Sequence, residues 1–302
     1  MMQSDLAELN REAINSAKVY MDQIAWPTVL MSLVVVSALF VTLLAFVGGW
    51  IPAWLATLLV GALTYMSYTP LHEAVHSNIG GRSGRWSWLN ALCGYLCAPV
   101  IAVPYESHRL DHFTHHRYTN QEGKDPDYMV SAMGGGAMAA LLCAGRFFYL
   151  QNTYFLRHGW ADASLRARGI YIAELMVSLG WRVAVLLWLG SLSGVIVVLG
   201  GYFIGAFFTA YWFAYRPHHP YQDHARYRNT SSLIMPVWMK PLEWFWLGQN
   251  LHSIHHLFPR VPFYRYHALH RDIEHVMRAH GTPIIGVYSR QPVGAVGTKA
   301  KV

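Results

Sequence analysis

Apolar residues in this chain come in long unbroken runs rather than at the spacing of a half-buried helix. Residues 28–47 hold no charge, and 20 residues make a helix about 30 Å long, the thickness of a bilayer's hydrocarbon core. A second uncharged run covers residues 50–71, set off from the first only by Gly48 and Gly49. A third covers residues 170–191, interrupted by Glu174 and Arg182, and a fourth 195–215, with "GSLSG" between them. Core helices of a soluble protein rarely run this long without a polar face. The pattern predicts an all-α integral membrane protein with four transmembrane helices in two tight hairpins, residues 28–47 with 50–71 and 170–191 with 195–215. Two weaker runs, 86–103 and 131–150, suit re-entrant or interfacial segments.

The polar remainder divides into regions 72–169 and 216–280, a polar N-terminal stretch read as an amphipathic helix rather than a cleavable leader, and a loose tail over 281–302. One domain over residues 1–302 accounts for this, with no internal repeat. Only 13% of the 302 residues are charged, against roughly 25% in an average soluble domain, which also favours the membrane. Of the 23 Lys and Arg, two, nine and eleven fall in the three regions outside the hairpins, and one, Arg182, falls inside the third run. The two interhelical turns carry none, so the positive-inside rule puts both termini and the large polar regions in the cytoplasm. The net charge of +7 then reads as topology and contact with anionic membrane lipid, and calls for no nucleic acid. Cys93, Cys97 and Cys143 lie on the reducing side, so no disulfide framework is expected, and the Cys93–Cys97 pair reads as packing.

The histidines carry the chemistry. None of the 17 lies inside a predicted span. "HEAVH" places His72 and His76 at the exit of the second span. "HFTHH" places His112, His115 and His116 in the following polar region, and "HSIHH" places His252, His255 and His256 after the fourth span. Residues three or four apart share a helix face, and the topology puts all three clusters on one side of the membrane. Eight converging imidazoles would repel one another if protonated and would be costly to bury unpaired. A metal resolves both difficulties, and their number exceeds the four ligands of a closed structural zinc site. Ligand type alone leaves iron, copper, nickel and zinc open. A metal transporter or sensor is the rival from another class, but it would place polar ligands within its spans.

HxxxH, HxxHH and HxxHH in this order, interleaved with two hairpins over roughly residues 50–270, resemble the membrane fatty acid desaturase and hydroxylase superfamily. The resemblance implies two non-haem iron ions held in a cytoplasmic helical cap, O2 as co-substrate, and oxidation of an unactivated C–H bond in a long apolar lipid. "HHRYTNQEGKDPDYMVSAM" and "GQNLHSIHHLFPRVPFYRYH" look like bacterial beta-carotene hydroxylase-type members, which implies carotenoid ring hydroxylation in a bacterial inner membrane. Fatty acyl desaturation is the alternative. Members of the superfamily usually add one ligand near the last span, and among His218, His219 and His224 the nearest is His218. His108 reads as a headgroup-facing side chain, and His267, His270, His275 and His280 as solvated.

A ligating histidine donates its second N–H to an outer group. Candidates are Glu73, Glu106, Asp111, Asp125, Asp127, Asp223 and Glu243, with Asp125 and Asp127 foremost, and Asn250 is placed to hold a metal-bound water. Glu174 and Arg182 are costly in a span and are expected to face each other or to snorkel. Trp181, Trp188, Trp212 and Phe213 are candidates to line an apolar channel. No electron-carrying motif is evident, so a separate ferredoxin-like donor is the expected partner, drawn by the basic surface.

Overall fold

The computed structural model describes residues 2–287. Its elements are α1 (Met2–Lys18), α2 (Trp26–Val47), α3 (Ala53–Val75), α4 (Trp88–Ile101), α5 (Tyr105–Tyr118), a 3-10 stretch (Pro126–Gly135), α6 (Ala137–His158) and α7 (Leu165–Leu189). Next comes α8 (Leu192–Tyr215), a continuous helix in which Ile196–Gly200 and Ala210–Tyr215 are π-helical. The described residues end with β1 (Ser232–Ile234), a 3-10 stretch (Val237–Trp246), α9 (His252–Leu257), α10 (Tyr266–Ala279) and β2 (Ile284–Gly286).

Three helices, α2, α7 and α8, are long and apolar enough to cross a membrane. The second expected span forms α3, which is long enough but is not among them. Its C-terminal third is polar, with Ser67, Tyr68, Thr69, His72 and Glu73 in sequence, and every residue from Ser67 to Val75 is buried. α3 is enclosed by α2, α4 and α8, so protein rather than lipid covers that part of it. The α3–α8 contact is very close. A Cβ on Gly205 would lie 2.5 Å from the carbonyl oxygen of Gly61, and one on Gly61 would lie 2.9 Å from Ile204. Small residues let the two backbones approach, the usual device for packing helices inside a membrane.

The weak run at 86–103 is α4, which meets α5 at 95°, with Ala102 at the break in the left-handed region (φ 57°). Such a break leaves helix-end carbonyls and amides without intrahelical partners. α7 satisfies them. Arg182 donates to the carbonyls of Pro99 (2.7 Å) and Val100 (2.6 Å) at the end of α4, and Glu174 accepts from the N–H of Tyr105 (2.6 Å) and Glu106 (3.4 Å) at the start of α5. Glu174 and Arg182 therefore neither face each other nor snorkel, because each has a helix terminus to neutralise. Trp181 also bonds the Pro99 carbonyl (3.1 Å), while Trp188 is exposed.

α1 packs on α10 through Ala13 and Ala17. In the tail expected to be loose, Ile284–Gly286 instead pairs in parallel with β1, Ser232 opposite Ile284. Its isoleucines, Ile284 and Ile285, are buried by this pairing. Residues 288–302 lie outside the described residues. The histidines expected to be solvated, all on or next to α10, divide: His270 is buried, His280 stacks on Tyr227 at 3.9 Å, His275 meets Glu12 at 3.0 Å and His267 lies 3.8 Å from Glu243.

The cap supplied by Glu174 is testable. Glu174→Ala should lower stability in detergent by about 1–3 kcal/mol, the cost of buried donors left unpaired, and Glu174→Gln by less, because a carboxamide oxygen still accepts. An unchanged melting temperature for the alanine variant would show that α5 does not depend on this carboxylate.

Candidate metal centre

Four pieces of chain bring imidazoles together. The end of α3 carries His72 and His76, the inner face of α5 carries His108, His112, His115 and His116, α9 carries His252, His255 and His256, and the loop after α8 carries His218. The 95° bend lets α5 lay its histidines across the end of α3. His72, His76, His112 and His255 form one group of ligand atoms within 4.8 Å of one another, and His115, His218 and His256 form a second. His116 joins them through a third group with His255 and His256. His252 borders the second, its ring 4.8 Å from that of His256 and 5.2 Å from that of His218.

Four of the outward nitrogens are tied down. His115 Nδ1 donates to Asp125 Oδ1 at 2.8 Å, and Asp127 Oδ2 lies 3.7 Å away. Asp125 is fixed in turn by the N–H of Asn120 (2.7 Å) and of Asp127 (2.9 Å). His218 Nδ1 donates to Asn120 Oδ1 (3.1 Å) and His252 Nδ1 to Gln249 Oε1 (3.2 Å). His255 Nδ1 meets the hydroxyl of Tyr266 at 3.2 Å.

The inward nitrogens have no protein partner suited to them. His116 Nε2 lies 3.0 Å from His112 Nε2 and 2.8 Å from His255 Nε2, and His115 Nε2 lies 3.3 Å from His256 Nε2. Both nitrogens of His72, Nε2 of His76 and His218, and Nδ1 of His112 are buried with no hydrogen bond. A neutral imidazole offers one donor and one acceptor, so one nitrogen cannot satisfy two others at once. Metal ions would take up one nitrogen of each ring, and the donor set fits two ions, one in each of the first two groups.

Electrostatics agree. Burial, reinforced by neighbouring imidazoles, holds His112, His116, His218, His255 and His256 well below the usual histidine range, and takes His76 and His252 down to about 3. They are therefore neutral, the ligating form. His115 differs: burial opposes its charge, but Asp125 and Asp127 outweigh it and lift the ring to about 9.

Several expected outer groups do other work. Glu73 reaches no imidazole, because on a helix it points about 100° away from His72; it accepts from Thr28 Oγ1 (2.6 Å) and the N–H of Phe263 (2.5 Å). Asn250 donates its amide to the Leu233 carbonyl (3.2 Å), and its Oδ1 is buried without a partner. Glu106 pairs with Arg109, Asp223 with Arg228 and Glu243 with Lys240. Asp111 is buried with Oδ2 unpaired. His108 does not face headgroups: it is fully buried, its ring 5.1 Å from Tyr68 and 5.2 Å from His112. His219 and His224 belong to no metal-competent group among the described residues. Sequence reasoning missed Asn120, Gln249 and Tyr266 because it sought carboxylates. The signal for Gln249 was its place three residues before His252.

An apolar pocket of about 580 Å³ is lined by α3, α8 and the 237–246 stretch, including Tyr65, Met66, Trp212, Met235 and Trp246. Of the four aromatics expected along a channel, only Trp212 lines it. Phe213 stands between pocket and histidines, its ring 5.8 Å from Tyr65, 4.5 Å from Tyr68 and 6.0 Å from His72.

The fatty acid desaturase family model matches residues 48–288. Similar proteins include beta-carotene 4-ketolase 3 and beta-carotene ketolase of Haematococcus lacustris, each 28% identical over 107 residues, 35% of this chain and 32% of theirs. Fatty acid desaturase 3 of Homo sapiens is 25% identical over 259 residues, 77% of this chain and 57% of that protein. The chain thus spans about a third of the length of the ketolases and a little over half that of the human desaturase.

Asp125→Ala should weaken metal retention about 10–100-fold, the usual effect of removing a group that orients a ligand. Metal content after dialysis against a graded chelator measures it. Retention equal to the parent's would dismiss Asp125 as an orienting group.

Proposed function

The chain belongs to the fatty acid desaturase family of oxidoreductases, and we propose that it is an integral membrane non-haem di-iron enzyme that uses O2 to hydroxylate a carotenoid ring. The observation that carries this reading is the set of nine converging imidazoles, with inward nitrogens that lack suitable protein partners. His72, His76, His112 and His255 would hold one iron, and His115, His218 and His256 the other, with His116 and His252 completing the set. Bound iron would supply activation of O2 and oxidation of an unactivated C–H bond.

The protein's own residues do the rest. Asp125, Asn120, Gln249 and Tyr266 fix the ring orientation of His115, His218, His252 and His255. The apolar pocket takes a long hydrocarbon and excludes water from the reacting end. Phe213 sets how far that chain can advance toward His72. Likeness to the carotene ketolases, with "DPDYMVSAM" and "HHLFPRVPFYRY", favours a carotenoid. The longer alignment with the human desaturase keeps acyl-chain desaturation as the second reading. Transport of metal is disfavoured because the histidines lie at or beyond the ends of the apolar helices rather than midway along them, and four of them are tied to outer groups.

In the bilayer, α3 acts as a fourth span sheltered by its neighbours, and the histidine-bearing segments share the cytoplasmic side. A cysteine placed at Gly49 or at Ser191 should therefore label only from outside. Labelling of Ser191 and of the 252–256 segment from the same side would break this topology.

Purified protein should hold close to two irons per chain, and His255→Ala should lose most of them while still inserting in the membrane. One zinc per chain would instead point to structural or hydrolytic chemistry. With beta-carotene, O2 and a reducing system, mass spectrometry should show a gain of one oxygen on the carotenoid. Unchanged carotenoid beside acyl chains lighter by two hydrogens would reject the carotenoid and keep the metal chemistry.

A further inference from the structure

Hydroxylation inserts one oxygen atom into a C–H bond, and the other leaves as water, consuming two electrons and two protons. Solvent supplies the protons, while neither O2 nor the substrate supplies the electrons. A reductant must therefore approach the histidines, and burial restricts where. Of the nine candidate ligands only His116 is partly exposed. It lies on α5, whose inner face carries the other histidines and whose outer face exposes Arg109, Phe113 and Arg117.

These three are spaced four apart, so they form one stripe along the helix. Phe113 is 47% exposed, yet its ring lies 5.6 Å from that of His76. Arg82, in the loop after α3, is also exposed and near enough for its charge to disfavour protonation of His76. Arg109 is partly offset by Glu106 at 3.2 Å, whereas Arg117 makes no ion pair among the described residues. An exposed aromatic ring framed by arginines is the composition of a protein-binding hot spot.

We propose that the Arg109–Phe113–Arg117 face of α5, with Arg82 beside it, is the docking surface for an acidic one-electron carrier protein. The inference rests on the oxidative reading above. Two successive dockings deliver the two electrons. The arginines steer an acidic partner into place, and Phe113 puts its redox group within one ring contact of His76.

An acidic [2Fe–2S] ferredoxin is a suitable probe. Its binding to the iron-loaded full chain in detergent, read by biolayer interferometry at low salt, should weaken about tenfold for Arg117→Glu and less for Arg117→Gln. Both differences should shrink at high salt, because exposed charges are screened. The ratio of ferredoxin-driven to dithionite-driven turnover should fall in step. Equal ferredoxin affinity in the parent and both variants overturns the proposal. So does a loss that persists at high salt, or one that appears equally with dithionite, which would make Arg117 a structural or lipid-facing residue. If dithionite yields no product with any of these proteins, the functional reading fails, and the binding comparison still decides where the carrier docks.

Discussion

Nine imidazoles packed against one another, eight of them buried, form the constraint on which the rest of the structure depends. Protonated, they would repel; neutral and without metal, their inward nitrogens meet only other imidazole nitrogens. Such a cluster is not self-supporting, so its geometry has to be imposed from outside. Asp125, Asn120, Gln249 and Tyr266 impose it locally, each holding an outward nitrogen. The helices impose it globally, since α3, α5, α9 and the loop after α8 approach from different directions.

Converging those elements requires a sharp turn where the apolar α4 gives way to the polar α5, and the turn exposes helix ends. Hydrocarbon offers nothing to bond with them. The arginine and glutamate of α7 answer that need, which accounts for two charges that a lipid-facing helix would otherwise exclude. The close α3–α8 seam at Gly61 and Gly205 then fixes Phe213 relative to His72, and so relates the pocket to the centre.

Much of this was legible in the sequence, for definite reasons. An uncharged run of twenty residues has few alternatives to a span, and α2 and α8 follow from that, while α7 is long and apolar enough despite Glu174 and Arg182. α3 was harder, because a helix shielded by its neighbours can be polar without cost. The histidine spacing placed each cluster on one helix face, and topology brought the faces together. What stayed hidden depends on contacts remote in sequence or on angle around a helix. Tyr266 meets His255 only because α10 folds back, Asn120 reaches His218 across nearly a hundred residues, and Glu73 turns toward Phe263 because one step along a helix rotates a side chain away from its neighbour.

The bonds of α7 to the α4–α5 break also bear on how the chain assembles. A helix with a glutamate and an arginine in its apolar body enters a bilayer at a cost if it enters alone. Its partners, the carbonyls of Pro99 and Val100 and the amides of Tyr105 and Glu106, lie earlier in the chain. During synthesis they emerge first, so a docking site for each charge exists before α7 leaves the ribosome. Order along the chain and order of bonding coincide, and insertion of the third apolar segment becomes a step that depends on the histidine-bearing helix already being in place.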